Sequence, residues 1–260
     1  MPQLRIRTTS AALTAGAVAL LLAGCGGGGA AADPSARTLT VLAAASLTDV
    51  LAELEPVFEA AHPGVDVVLA FGSSADLAQQ VVNGSPADVF ASASAATMTT
   101  VTDAGLVAGE PVVFARNELQ IVTAPGNPEG ITGFTDLARP DLQVVVCVPT
   151  APCGAAVERI EEATGVALAP VSEEPDVRAT LGRITTGNAD AGLVYLTDAV
   201  AAGDAVTGVP FPEADEAVTD YPIAVLSDAP EPDLAQEFAD LVTGPDGRAV
   251  LGRAGFAAGS

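Results

Sequence analysis

The chain has 260 residues, with 33 Asp and Glu against 10 basic residues, a formal net charge of −23 and a single His, His62. All ten basic residues are Arg, which removes the phosphate-cradling lysine of a Walker motif, the Schiff-base lysine and the Ser-x-x-Lys acylation site. One His and three Cys are a poor stock for a Cys/His zinc site, and a chain this negative lacks the clustered cations that nucleic-acid backbones require, so no nucleic-acid partner is expected.

In chain order, residues 1–24 read as a secretory signal. Arg5 and Arg7 give a positive start, Ala11 to Leu22 an apolar stretch, and Ala23-Gly24 the small residues before a cleavage point. The apolar stretch is about 12 residues, short of the roughly 20 that span a bilayer. The ending Leu22-Ala23-Gly24-Cys25 resembles a bacterial lipobox, which implies cleavage before Cys25 and a lipid on Cys25. Residues 25–37, rich in Gly and Ala, then read as a lipidated, flexible tether. Cleavage leaves 8 Arg against 33 acids, too few cations for a polybasic membrane patch, so the lipid alone is expected to anchor the protein outside the cytoplasm. Cys147 and Cys153 remain as an even pair in an oxidising compartment. A disulfide between them is expected, the alternative being two free buried thiols.

The body alternates strands and helices. Leu39 to Leu42 is a short apolar strand. Leu47, Val50, Leu51, Leu54, Val57, Phe58 and Ala61 then trace one helical face, which His62-Pro63-Gly64 stops. Strands at Val65 to Phe71 and Ala87 to Phe90 each precede a helix. Further strands are read at Leu119 to Ala124, Gln143 to Val148, Ala191 to Leu196 and Tyr221 to Leu226. Helices are read around Ala155 to Ala163, Val177 to Thr186, Asp233 to Thr243 and Gly247 to Ala254, with one helical turn at Phe134 to Ala138. The pattern predicts an α/β protein of two lobes, each a mainly parallel sheet flanked by helices. Lobe I would hold 38–117 and, after the chain returns, 217–260; lobe II would hold 118–216. His62 reads as a solvent-exposed helix-end residue. The pairs and triplets Glu161-Glu162, Glu173-Glu174 and Glu213-Asp215-Glu216 read as solvated surface.

In open α/β sheets ligands sit beyond the carboxyl ends of the strands, where the next helix offers free N–H groups. Four helix starts stand out. Ser46, after Ala43-Ala44-Ala45, has the spacing of an N-cap with Asp49. Ser73 has the same spacing with Asp76, which leaves the Ser74 hydroxyl without a capping role. Pro149 to Gly154 would be pinned by the Cys147–Cys153 bridge, holding the Cys153 N–H at a helix start. Asp176 is an N-cap that would leave the Val177 N–H free. Tyr195 closes a buried strand, so its ring should reach the same crevice. Each feature has an ordinary structural explanation. Taken together they are donors only, and a helix start needs no cation to hold an anion.

The segments Ala43-Ala44-Ala45-Ser46-Leu47-Thr48-Asp49, Phe71-Gly72-Ser73-Ser74, Pro86-Ala87-Asp88-Val89-Phe90, Glu174-Pro175-Asp176-Val177-Arg178 and Gly192-Leu193-Val194-Tyr195, in this order, closely resemble the molybdate-binding proteins of bacterial ABC transporters. The resemblance runs from about residue 39 to Gly255-Phe256. It implies a two-lobe type II periplasmic-binding-protein fold closing on a tetrahedral oxyanion. By the same resemblance Ser46 and Ser74 are ligands through hydroxyl and N–H, Cys153 and Val177 through N–H, and Tyr195 through its hydroxyl. Cys153 stands where the family form has Ala, in a loop about one residue shorter. The implied role is capture of molybdate, and tungstate with it, for a membrane ABC permease, by a monomer that is not an enzyme. No resident cofactor is implied, and the metal enters only inside the oxyanion. A same-fold protein for another oxyanion such as sulfate is the alternative. An enzyme would need a base, and His62 lies about 24 Å along a helix from Ser46.

Overall fold

A computed structural model describes residues 37–259. The signal segment, Cys25 and the tether up to residue 36 lie outside the described residues. Among the described residues no helix is long and apolar enough to cross a membrane.

The first strand, β1 (Arg37–Ala44), shows why a sheet forms here. Its side chains alternate between two apolar faces: Leu39, Val41 and Ala43 join one core cluster, and Leu42 joins another. β1 pairs in parallel with β2 (Val65–Gly72) and with β3 (Val89–Ala91). Two later strands complete this first sheet on antiparallel ladders. β4 (Val107–Asn117) and β10 (Thr219–Leu226) pair with each other, β10 with β3, and the short β11 (Ala257–Ala258) with β4. The order is β11-β4-β10-β3-β1-β2.

Helices cover both faces. α1 (Thr48–Ala61), α7 (Pro232–Thr243) and α8 (Pro245–Arg253) meet one face, where Leu51, Leu54, Phe58 and Phe238 are all but fully buried. α2 (Ser74–Val82) and α3 (Ala95–Asp103) bring Leu77, Val81, Met98 and Val101 onto Leu42 and Phe90 on the other. Burial of each such side chain contributes about 1.5–3 kcal/mol.

The second sheet is built from β5 (Leu119–Thr123), β6 (Val144–Cys147), β7 (Ser172–Glu174), β8 (Ala191–Tyr195) and β9 (Thr207–Val209), in the order β7-β6-β8-β5-β9. α4 (Pro152–Thr164), α5 (Val177–Thr185) and α6 (Leu196–Ala202) pack against it. β6 and β8 are buried along their whole length, consistent with cover on both sides.

The chain passes between the sheets through one residue, Glu118, which separates β4 from β5. It comes back between β9 and β10. The two passages lie side by side, because Thr219 pairs with Asn117 in the β4–β10 ladder.

The α/β expectation of two flanked sheets holds, but the sheets are mixed instead of mainly parallel. Parallel pairing is confined to β1 with β2 and β3, and to β6 with β7 and β8. The antiparallel ladders come from the strands next to the two passages, since a strand leaving a sheet and one re-entering it beside the exit run in opposite directions. β4, β7, β9, β11 and α6 are elements the sequence pattern did not reveal.

Candidate functional site

The carboxyl ends of six strands converge on one cavity. Lobe I supplies Ala44, Ala45 and Ser46 after β1, Gly72, Ser73 and Ser74 after β2, and Ala93 after β3. Lobe II supplies Ala151, Pro152 and Cys153 after β6, Asp176 and Val177 after β7, and Tyr195 at the end of β8. The cleft holds about 220 Å³ of atom-free space, counting the part open to solvent. All five residues singled out from the sequence, Ser46, Ser74, Cys153, Val177 and Tyr195, line it together.

The local chemistry of each differs from a simple cap. Ser46 is not an N-cap. It lies inside a 3-10 turn, Ala45–Leu47, and α1 begins only at Thr48 with no side-chain cap. The reason is a competing partner: Ser46 Oγ lies 2.8 Å from the Tyr221 hydroxyl. Ser73 occupies the N-cap position of α2 but makes no capping hydrogen bond, so the expected Ser73–Asp76 box does not form. Its failure leaves the first N–H groups of α2, beginning with that of Ser74, without side-chain partners. The Ser74 hydroxyl oxygen accepts the Ala93 N–H at 3.0 Å, which leaves the hydroxyl proton for the cavity.

On the other wall, Cys147 and Cys153 are joined by a disulfide with an S–S distance of 2.08 Å. Pro152 opens α4 and carries no N–H, so Cys153 presents the first donor of that helix. Gly154 lets α4 press against the end of β6, because a Cβ there would sit 2.0 Å from the Val148 carbonyl oxygen. At α5, Asp176 caps as its spacing predicts. Its carboxylate accepts Arg178 N–H at 2.8 Å and Ala179 N–H at 3.0 Å, and the Thr180 N–H goes to the Asp176 carbonyl at 3.1 Å. Of the first-turn donors only the Val177 N–H is left over.

Tyr195 is 1 % exposed, and its hydroxyl has no hydrogen-bond partner among the described residues. A buried, unsatisfied hydroxyl costs about 1–3 kcal/mol unless something completes it. Burial also pushes its pKa well above the ordinary tyrosine value, so it remains a neutral donor. The Thr219 hydroxyl, and less so that of Tyr221, pulls the other way without reaching hydrogen-bond geometry with it.

Among the described residues, no Arg or His lines the cavity. Asp176 is its one ionisable carboxylate, and that group is taken up by the α5 N–H groups. Arg178, next to Val177, turns its guanidinium to Asp49 and Asp198 instead. The site is thus lined by neutral donors, and two of its acceptors are engaged: the Ser74 hydroxyl oxygen by the Ala93 N–H and the Asp176 carboxylate by the α5 N–H groups.

His62 is not free in solvent. Its ring stacks on Phe58, Nδ1 lies 2.8 Å from the Phe58 carbonyl oxygen, and Nε2 lies 2.6 Å from Glu237. Glu174 is likewise not solvated surface: it accepts Ser172 Oγ–H at 2.7 Å and Arg183 Nε–H at 2.6 Å. Asp88, in one of the family-like segments, is structural. It accepts the N–H of Thr40 and of Glu231, both at 2.7 Å, and ties β1 to the start of α7. The sequence pattern starts a strand at Tyr221 and gives that residue no place at the site. The strand begins at Thr219, and Tyr221 is fully buried behind Ser46. That the chain has only two Tyr was the available signal.

The family model described as bacterial extracellular solute-binding protein matches residues 39–257. The chain belongs to that family. This solute-binding protein is 49 % identical over 253 residues to the molybdate-binding protein ModA of Mycobacterium tuberculosis (strain H37Rv), covering 95 % of each chain. In fold it is similar to the periplasmic molybdate-binding protein of Azotobacter vinelandii, with a TM-score of 0.73 at 23 % identity over 84 % of this chain and 98 % of that one. It is equally similar in fold to the sulfate-binding protein SubI of Mycobacterium tuberculosis, with a TM-score of 0.73 at 22 % identity over 85 % and 86 % of the two chains. The fold therefore does not choose between oxyanions; the site chemistry must.

Proposed function

We propose that this solute-binding protein captures molybdate, and tungstate with it, and delivers it to a membrane ABC permease. The observation that carries this reading is a cavity lined by neutral donors with no Arg or His among the described lining residues. Molybdate and tungstate are dianions at neutral pH with four acceptor oxygens and no proton. Ser46, Ser74, Cys153, Val177 and Tyr195 offer them hydroxyl and N–H donors from both lobes. Hydrogen bonds to a charged partner contribute about 1.5–3 kcal/mol each, so five positions give roughly 7–15 kcal/mol before association costs of similar size. Hydrogen phosphate carries a proton that needs a strong acceptor, and the one carboxylate among the described lining residues, Asp176, is already held by the α5 N–H groups. Sulfate matches in charge and shape but is smaller and more strongly hydrated, so size and dehydration must reject it. The 49 % identity to a molybdate-binding protein supports molybdate over sulfate.

The role is capture, not catalysis. The chain's single imidazole is committed to Phe58 and Glu237, so none of the three cavity serines, Ser46, Ser73 and Ser74, has an imidazole base. The protein acts outside the cytoplasm, held by a lipid on Cys25, and works as a monomer. The lipobox-like ending at Cys25 supports that anchoring, and a Cys25→Ser variant should leave the membrane fraction.

Calorimetric titration with molybdate, tungstate, sulfate and phosphate tests the ligand. Molybdate and tungstate should bind tightly with comparable affinity. Equal binding of sulfate or phosphate would overturn the specificity.

A further inference from the structure

Four buried side chains run in a line behind the cavity wall: Thr197, Asn117, Tyr221 and Ser46. Obligate donors fix the direction of its first contacts, and the direction of the last, between the Tyr221 and Ser46 hydroxyls, is inferred from them. The backbone N–H of Glu118 can only donate, and it lies 3.0 Å from Asn117 Oδ1. That contact fixes the amide, so Asn117 Nδ2 faces the line. Nδ2 donates to Thr197 Oγ1 at 2.8 Å and to the Tyr221 hydroxyl oxygen at 3.4 Å. With its oxygen receiving from Asn117, the Tyr221 hydroxyl is left to donate to the hydroxyl with which it makes a hydrogen bond, Ser46 Oγ at 2.8 Å. Ser46 then accepts inward, and its own proton points into the cavity.

We infer that Asn117 and Tyr221 are positioning residues that fix Ser46 as a donor, and so make the site select proton-free dianions over protonated oxyanions. This rests on the oxyanion-capture reading and deepens it. Neither residue lines the cavity, and both act through Ser46. Ser74 reaches the same state by a different route, since its oxygen is held by the Ala93 N–H. A ligand hydroxyl facing two hydroxyls whose oxygens are already engaged is left as a buried, unmatched donor. Mismatches of that kind discriminate more strongly than size does. The line also crosses between the lobes. Asn117 ends β4 at the passage, Thr197 lies in α6 of lobe II, and Tyr221 and Ser46 belong to lobe I.

The test is calorimetric titration of the wild type, Tyr221→Phe and Asn117→Asp with molybdate, sulfate and hydrogen phosphate at mildly alkaline pH. Tyr221→Phe keeps the ring that packs edge-on against Tyr195 and Phe256 but frees Ser46 Oγ to accept. The preference for proton-free dianions over hydrogen phosphate should fall by about tenfold or more. Asn117→Asp reverses the line. The carboxylate accepts from Tyr221, whose oxygen accepts from Ser46, and a lone pair then faces the cavity. Its added charge repels both classes of dianion alike, so the ratio still reads the direction. If Tyr221→Phe does not fold, Asn117→Asp decides. An unchanged ratio in the folded variants, or a wild type without preference for proton-free dianions, would overturn the inference. A wild type that prefers sulfate, ignores molybdate and loses its preference in the variants would instead overturn the molybdate reading and leave the line of donors standing.

Discussion

Arg178 of α5 reaches across the lobe boundary to the carboxylate of Asp49 on α1. The same guanidinium lies 3.1 Å, through Nε, from the fully buried Asp198. The residue next to the Val177 donor therefore joins the two lobes. The Asp49 side of this pair is exposed, and exposed pairs contribute about 0.2–1 kcal/mol. Asp49→Asn should lower anion affinity by no more than about fivefold. The difference should vanish in high salt, measured by titration at two ionic strengths. Replacing Arg178 is the harsher change, because it strands Asp198.

Ser74 gives the cleanest single-residue test of the site. Its side chain touches the protein through one accepted bond and otherwise points into the cavity. Ser74→Ala should weaken molybdate binding by about 1–3 kcal/mol, with little change in the unfolding midpoint. Unaltered affinity would remove Ser74 from the site.

The Cys147–Cys153 bridge ties the end of β6 to the start of α4, across a sequence separation of 6. A loop this short restricts the unfolded chain by about 2 kcal/mol in the chain-entropy account. The Cys147→Ala/Cys153→Ala double variant should lose about that much stability in denaturant titrations. It should also bind molybdate more weakly, since the Cys153 N–H is no longer held in place.

Two groups make stability fall as pH rises. Burial pushes the Asp198 pKa up to about 7 from 3.8, with Arg178 opposing and Asp49 and Asp176 reinforcing the rise. The native state therefore holds a proton that the unfolded state has lost, and stability declines between about pH 4 and pH 7. His62 acts in the same direction. Its hydrogen bond to Glu237, then that to Phe58, raises its pKa, so its contribution is complete below the ordinary histidine pKa and is lost as pH climbs through the raised one. Asp198→Asn should flatten the pH dependence of the unfolding midpoint across the acidic side of neutrality. A slope equal to that of the wild type would show that Asp198 does not carry the proton.

The parts of the fold that could be read in the sequence are those with strong periodicity. α1 shows its face through Val50, Leu51, Leu54 and Phe58, and β6 through an unbroken apolar run. β4 stayed hidden because Gly109 (φ 82°) and Pro111 interrupt it, and its register against β10 shifts twice. α6 was missed because it follows Tyr195 with no intervening loop to announce it. At the site, helix-start positions were legible because spacing fixes them. Hydroxyl partners were not. Ser46 looked like a cap, and only the tertiary arrangement brings it to Tyr221, 175 residues away.

The central claim is that neutral donors from two lobes hold a doubly charged oxyanion without a counter-cation. A crystal structure of the molybdate-saturated protein, with the metal located by its anomalous scattering, measures this directly. The account predicts the metal in the cavity between Ser46, Ser74, Cys153, Val177 and Tyr195, its oxygens within hydrogen-bond distance of those donors and no Arg or metal cation touching them. Molybdate found elsewhere, or balanced in place by a cation, would contradict it.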